Sequence, residues 1–427
     1  MAHERSSLAR HTQHGSPGPI RQLGTLLAVA ACVVLVSAIG VVAYAAIDLG
    51  ATLKQGSTVL AGQDAAPPDI GELDDVGVNI MLAGLDACEN WIQGTFGSRC
   101  PADQDYGEAD RDAALNDVNM IVHISPEPRR VTVISIPRDL VTSQPECTNQ
   151  DGVTSPEQYA VTFNEANSRG QIQCIVDSAE QLTGLDIDYG ATITWGGVIA
   201  VTDVIGGVDV CVAGEGIYDD DTGTYLDPGK TYTLQGREAL QFLRTRHGVG
   251  DGSDLARISN QQVYMTSLAR KLTSKGVLTN PVTLLSLGRT VVQNVEATSS
   301  LTDPVTLARM AMAVADVPLD EFVFVQYPVL EDPSNANHVI PDTASAETLF
   351  DAIEANEPIT LTAGTGSNGA VVEGEDGATS TPTDTATEPE TTDPLTPTAT
   401  ATSTAGQQGS NVFGTDASQT TCSSGNG

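Results

Sequence analysis

The sequence predicts an α/β domain carried behind a single membrane span, and three observations lead there. Short apolar runs rich in strand formers recur at residues 78–86, 119–125 and 130–136. Helical spacing alternates with them, over residues 172–182 and again in the strand–helix–strand stretch ITWGGVIAVTDVIGGVDVCV. Upstream of all of these, residues 23–47 contain no charged side chain. Alternating strand and helix signals are the pattern of an α/β sheet, and an uncharged run of that length is the pattern of a membrane helix.

Residues 1–22 are polar, contain Arg5, Arg10 and Arg21, and show no apolar periodicity; they are expected to be a disordered cytoplasmic segment. The run 23–47 would extend roughly 37 Å as a helix, against a hydrocarbon core of about 30 Å. Three arginines before it and Asp48 after it place the N-terminus inside and the rest outside. A cleavable signal peptide is the competing reading, but the run is too long for an h-region and no small-x-small site ends it. Residues 48–76 read as a juxtamembrane linker, broken at Pro67 and Pro68.

The folded domain is expected over residues 77–362. Its first strand, VNIMLAGLD, ends at Asp86, at the strand end where α/β proteins place ligands. Asp117 opens a second strand, and Arg138 with Asp139 closes a third, the two being joined by a turn at Pro126 and Pro128. Two carboxylates at neighbouring strand ends suit Mg²⁺ (or Mn²⁺), although spacing alone favours reading Asp86 and Asp117 as turn or cap residues. FNEANSRG precedes the helix at 172–182, Gly206-Gly207 marks a tight turn, and DDDTG (Asp219 to Gly223) reads as a surface loop without EF-hand spacing. Helices are predicted at 282–294 and 304–315, with a strand at 322–327. Residues 363–427 turn to Thr, Ser, Pro, Gly and Ala with no Lys or Arg, which predicts a low-complexity tail. Its end, VFGTDASQTTC, is expected to fold back if Cys422 is tied down.

The 427 residues carry 20 Lys+Arg against 55 Asp+Glu, a formal charge of -35. Such a chain repels nucleic acid, so a local arginine cluster is informative. One occurs in EALQFLRTRHGVGDGSDLARISNQQ, residues 238–262. Arg244 and Arg246 lie two apart, on one side of an extended segment. Asp254 opens a helix that carries Arg257, Asn260 and Gln261 on one face. Several guanidinium forks converging on one spot call for a polyanion. Six cysteines follow the span, an even number in an oxidising compartment; 15 pairings are open, and proximity favours Cys88 with Cys100 and Cys147 with Cys174, leaving Cys211 for Cys422. There is no CxxC, no GxGxxG after a strand and no Ser-His-Asp arrangement. His123 lies mid-strand, where a satisfied core histidine is expected.

In this order, NIMLAGLD, NDVNMIVHISPEPRRVTVISIPRD, FNEANSRG, DVIGGVDV, LDPGKTYTLQGREALQFLRTRH and DGSDLARISNQQ resemble the LytR-CpsA-Psr family of cell-wall glycopolymer transferases, actinobacterial in composition. The resemblance implies a central mixed sheet flanked by helices, a groove for a polyprenyl chain and a Mg²⁺-dependent pyrophosphate site. Its implied partners are a polyprenyl-pyrophosphate glycopolymer, peptidoglycan and the cytoplasmic membrane, with no nucleic acid. Matched residue by residue, it implies metal-binding roles for Asp86 and Asp117 and pyrophosphate-binding roles for Arg138, Arg244, Arg246 and Arg257. Gln261 matches the glutamine of the family's RQQ, and Asn164 the asparagine ahead of the helix. Asp139 and Asp254 are candidates for deprotonating the acceptor hydroxyl. Two departures stand out: Leu115-Asn116 where the family has an arginine before the aspartate, and Asn260 for the arginine of RQQ. A phosphotransferase moving a glycopolymer to peptidoglycan is the leading reading. A polyprenyl-pyrophosphate hydrolase and a non-catalytic wall-associated binding protein are the alternatives.

Overall fold

The computed structural model describes residue 60 and residues 77–273, 281–302, 304–361, 369–372 and 412–426; all lie in one unit, Thr52–Gly427. The expected cytoplasmic segment, the expected span at 23–47, nearly all of the expected linker at 48–76 and most of the tail fall outside the described residues. Among the described residues no helix is long and apolar enough to cross a membrane.

In chain order the strands of the two larger sheets are β1 (Val78–Leu85), β2 (Asn116–Ile124), β3 (Val131–Ser135), β4 (Tyr189–Ile193), β5 (Val208–Gly214), β6 (Lys230–Leu234), β7 (Val295–Ala297), β8 (Phe322–Gln326), β9 (Ala370–Val372), β10 (Gly414–Asp416) and β11 (Thr421–Gly425). The longer helices are α1 (Ala166–Thr183), α2 (Trp195–Val204), α3 (Gly236–Arg244), α4 (Asp254–Thr273), α5 (Pro281–Asn294), α6 (Pro304–Ala315) and α7 (Thr343–Glu354). The main sheet has seven strands in the order β7-β4-β1-β2-β3-β8-β10. β1 pairs antiparallel with β2 and parallel with β4, and β3 parallel with β8, so the sheet is mixed. Parallel neighbours need long crossovers, which the helical segments supply.

Pleating sends alternate side chains of β1 to opposite faces. Met81 and Ala83 enter a core with Ile121, Ile134 and Val325, closed by Ile175, Val176 and Ala179 of α1 and by Leu349 and Ile353 of α7. β3, Val-Thr-Val-Ile-Ser, is buried throughout, as a central strand of β-branched residues should be. α1 bends at Gly170-Gln171, where the backbone is not helical, and a Cβ on Gly170 would run into Cys174 Sγ. Gly206 and Gly207 adopt φ of 72° and 74° in the turn between α2 and β5, a conformation that L side chains rarely take.

A second sheet, β6-β5-β11-β9, packs its apolar face (Val208, Val210, Val212) on Phe242, Ala256, Val263 and Tyr264 of α3 and α4. The C-terminal segment contributes to both sheets. β10 pairs with β8, and β11 lies parallel to β5 with Cys422 opposite Cys211. The disulfides are Cys88–Cys100, Cys147–Cys174 and Cys211–Cys422, the set that chain proximity favours.

Candidate active site

A cavity of about 1100 Å³ opens on the face of β1 opposite α1. Its walls are apolar: Leu82 of β1, Met120 of β2, Ile193 of β4, Val198 and Val201 of α2, and Leu268 of α4. One end is charged, for a topological reason. The C-terminal end of β1, the start of its antiparallel neighbour β2 and the end of β3 share one edge of the sheet, which places Asp86, Asp117 and Arg138 together. Arg244, Arg246, Arg257 and Gln261 reach the same cavity from α3, the loop after it and α4.

Arg138 Nη1 donates to Asp117 Oδ2 at 2.7 Å, and its Nε lies 3.4 Å from Asp254 Oδ1 and 3.5 Å from Asp139 Oδ2. Arg257 Nη2 is 2.6 Å from Asp254 Oδ1 and donates to the Asp117 carbonyl at 3.0 Å. Burial pushes the Asp254 carboxyl up, against the pull of Arg257 and Arg138. Asp139, Asp254 and Asn164 are not among the cavity-lining residues. The two carboxylates hold the Arg138 guanidinium, and the Asn164 amide donates to the Arg138 carbonyl at 3.1 Å. Positioning, rather than contact with a ligand, is what their geometry provides.

Arg244 and Arg246 do not share an extended segment. Arg244 ends α3, whose buried face carries Ala239, Leu240 and Phe242, and the helix stops at Thr245. The Arg244 guanidinium stacks on Trp195, 3.8 Å from the ring centroid, with Phe96 at 5.7 Å. Burial lowers its pKa from the usual arginine value. Arg246 is fixed by its backbone amide on Asp219 Oδ2 at 3.0 Å and by its Nε on the Gly252 carbonyl at 3.0 Å. Neither guanidinium has a carboxylate within ion-pair distance among the described residues, whereas Arg138 and Arg257 both do.

The Asp86 carboxyl is raised by burial and then by the neighbouring charge of Asp117, while Arg99, at 2.5 Å from Asp86 Oδ2, opposes this. Asp117 Oδ1 is buried without a hydrogen-bond partner. Adjacent hard oxygens, one of them an orphan, form a donor set that suits a divalent cation completed by phosphate oxygens.

Of the positions that depart from the family motifs, Leu115 is exposed, whereas Asn116 and Asn260 are internal. Asn116 donates to Asn119 Oδ1 at 2.7 Å and to the Phe163 carbonyl at 3.1 Å, and accepts from the Asn167 amide at 2.9 Å. Asn260 is 0% exposed, donates to the Phe242 carbonyl at 2.9 Å and accepts from Ser423 of β11.

Four participants escaped the sequence reading. Arg99 lines the cavity because the Cys88–Cys100 bridge turns its loop back toward Asp86; the cysteine spacing was the available signal. Trp195 and Phe96 had none. The DDDTG segment, read as a surface loop, lines the cavity instead, and Asp219 is buried. The Asp219 carboxylate accepts amides of Asp221, Thr222, Arg246 and His247, clamping this loop to the arginine loop. Asp219, Asp221 and His247 place ligand atoms within 4.8 Å of one another, but these four backbone bonds occupy both Asp219 oxygens.

Residues 51–354 match the LytR_cpsA_psr family model. The chain is 28% identical over 286 residues to the cell wall biosynthesis protein LcpA of Corynebacterium glutamicum, covering 62% of this chain and 52% of that protein. The chain thus spans about half the length of that relative. It is 25% identical over 279 residues to TagT of Bacillus subtilis, a polyisoprenyl-teichoic acid–peptidoglycan teichoic acid transferase, covering 64% of this chain and 76% of that protein. The fold is shared with protein gbs0355 of Streptococcus agalactiae, at a TM-score of 0.51 and 17% identity over 69% of this chain and 92% of that structure.

Proposed function

We propose that this chain, which belongs to the LytR-CpsA-Psr family, is a membrane-anchored extracytoplasmic phosphotransferase that moves a glycopolymer from a polyprenyl-pyrophosphate carrier to peptidoglycan. The observation that carries the reading is one cavity with apolar walls and an arginine-rich end. Such a site matches a ligand that is a hydrocarbon chain at one end and a pyrophosphate at the other. The transferase activity for which TagT is named supports the same class of reaction.

In this reading the prenyl chain lies against Leu82, Met120, Ile193 and Leu268, and the pyrophosphate meets the arginines. Arg138 and Arg257, held by carboxylates, act as fixed donors. Arg244 and Arg246, without carboxylate partners among the described residues, take the largest share of the phosphate charge. Phosphoryl transfer asks mainly for positioning and for neutralisation of the non-bridging oxygens, and no protein nucleophile is required. Asp86 and Asp117 would hold Mg²⁺ or Mn²⁺, which when bound supplies further neutralisation of those oxygens. The uncharged run at 23–47 supports a single-pass anchor with the domain outside. A donor in the same bilayer is then presented at high effective concentration.

The test is to incubate the full chain in detergent with a short-chain polyprenyl-pyrophosphate glycan, Mg²⁺ and an uncrosslinked peptidoglycan oligomer, following product mass. Divalent-dependent formation of a phosphodiester-linked glycan on the oligomer, lost in Arg246→Ala, is expected. Free glycan phosphate with no linked product would replace this reading with the hydrolase. Donor binding without turnover would replace it with a binding protein.

A further inference from the structure

We propose that His247, oriented by Asp221, is the general base that takes the proton from the acceptor hydroxyl; this assignment rests on the transferase reading above. His247 follows Arg246 directly and lines the same cavity. Both backbone amides are held by the one buried carboxylate of Asp219, at 3.0 and 3.2 Å. The His247 backbone is therefore held in register with that of Arg246. The His247 backbone carbonyl accepts from Asn426 Nδ2 at 2.9 Å.

The ring geometry suits the task. His247 Nδ1 lies 2.8 Å from Asp221 Oδ2. A carboxylate at Nδ1 selects the tautomer with its proton there and leaves Nε2 as the acceptor. The pair is open to solvent, at 65% and 75% side-chain exposure, so its contribution to stability is small and a second substrate can reach it. Competing groups are otherwise engaged. Asp139 and Asp254 hold Arg138 and do not line the cavity, Asp86 and Asp117 face arginines, and Asp220 accepts the Tyr225 hydroxyl at 2.7 Å. The hairpin that carries Asp221 also exposes Tyr218 and Tyr225, which face each other across its two strands.

The step balances as follows. The acceptor hydroxyl gives its proton to His247 Nε2, and its oxygen forms a bond to the glycan-bearing phosphorus. The bond from that phosphorus to the bridging oxygen breaks, and its electron pair leaves with polyprenyl monophosphate. The imidazolium then returns its proton to solvent.

The experiment compares the full chain with His247→Gln, His247→Gly and Asp221→Asn, in donor binding and in transfer to the oligomer. Transfer by His247→Gln is expected to fall about 10²- to 10⁴-fold with donor Kd unchanged, Asp221→Asn is expected to fall less, and imidazole is expected to restore rate to His247→Gly. Transfer by His247→Gln at the native rate would overturn the assignment, as would equal loss of donor binding. An Asp221→Asn variant more impaired than His247→Gln would move the role to the carboxylate. Absence of linked product with the unmodified chain would instead defeat the transferase reading itself.

Discussion

Arg244→Ala separates ligand binding from folding more cleanly than any other change in the cavity. Its guanidinium has no carboxylate partner among the described residues and rests on Trp195 and Phe96. In the unliganded protein the residue gains two ring contacts, each about 0.5–1 kcal/mol, and burial of an unpaired cation offsets that gain. Arg244→Ala is therefore expected to shift Tm by no more than about 3 °C, on the usual scale of 2–4 °C per kcal/mol for a domain of this size. A pyrophosphate would lose a charge-assisted hydrogen-bond partner, about 1.5–3 kcal/mol, or about 10- to 150-fold in Kd. Arg257→Ala serves as the contrast. It strips Asp254 of its partner at 2.6 Å, where both side chains are 8% exposed, and should destabilise the fold by about 3–5 kcal/mol. Calorimetric titration with a short-chain polyprenyl pyrophosphate, beside thermal melts of both variants, reads the two effects. A donor Kd within threefold of the native value for Arg244→Ala, or a Tm fall matching that of Arg257→Ala, would refute the division of roles.

Two further outcomes follow from the structure. His123 is buried with Nδ1 on Asn79 Oδ1 at 2.8 Å, and burial lowers its pKa from 6.5 to about 4. The unfolded chain binds the proton first, so stability present above pH 6.5 is lost as pH falls toward 4, about 3 kcal/mol in all; denaturant melts of His123→Gln should show that much less acid sensitivity, and an unchanged pH slope would count against it. Asn260→Arg, which restores the family's arginine, would bury a guanidinium where Asn260 binds Phe242 and Ser423. It should lower Tm by several degrees and loosen β11 by hydrogen exchange, and a variant with unchanged Tm and tighter donor binding would show the position to be a lost ligand contact.

The elements that announce themselves in the sequence are those whose local pattern agrees with their tertiary environment. β1 and α6 carry apolar periodicity at the period they adopt, while β3 and α2 are apolar nearly throughout, and the four are legible for those reasons. β11 is Thr-Cys-Ser-Ser-Gly, with little strand propensity of its own. Pairing with β5, the bridge to Cys211 and the Ser423–Asn260 bond hold it, and such contacts are invisible along the chain. The charged end of the cavity divides the same way. Spacing located the arginines because the residues that bring them together lie within about two dozen positions. It missed Trp195 under Arg244 and the role of Asp219 under Arg246, since each acts across 27 positions or more.

Neither departure from the family motifs lies on the cavity wall. Asn116 and Asn260 are spent inside the fold, the one on the turn ahead of α1 and the other on α3 and β11. The lining keeps Arg138, Arg244, Arg246 and Arg257, and gains Arg99 from a loop closed by the Cys88–Cys100 bridge. Counter-charge is distributed unevenly among them: Asp117, Asp139 and Asp254 all converge on Arg138, Asp254 also on Arg257, and Asp86 on Arg99. Carboxylates that fix one guanidinium also weaken its hold on an anion. The pair left without them, Arg244 on an aromatic bed and Arg246 on a backbone clamp, is positioned by contacts that take nothing from its charge. Under the transferase reading proposed above, an arginine so placed is the one to meet the phosphate charge at one end of an otherwise apolar cavity, in a protein of net charge -35.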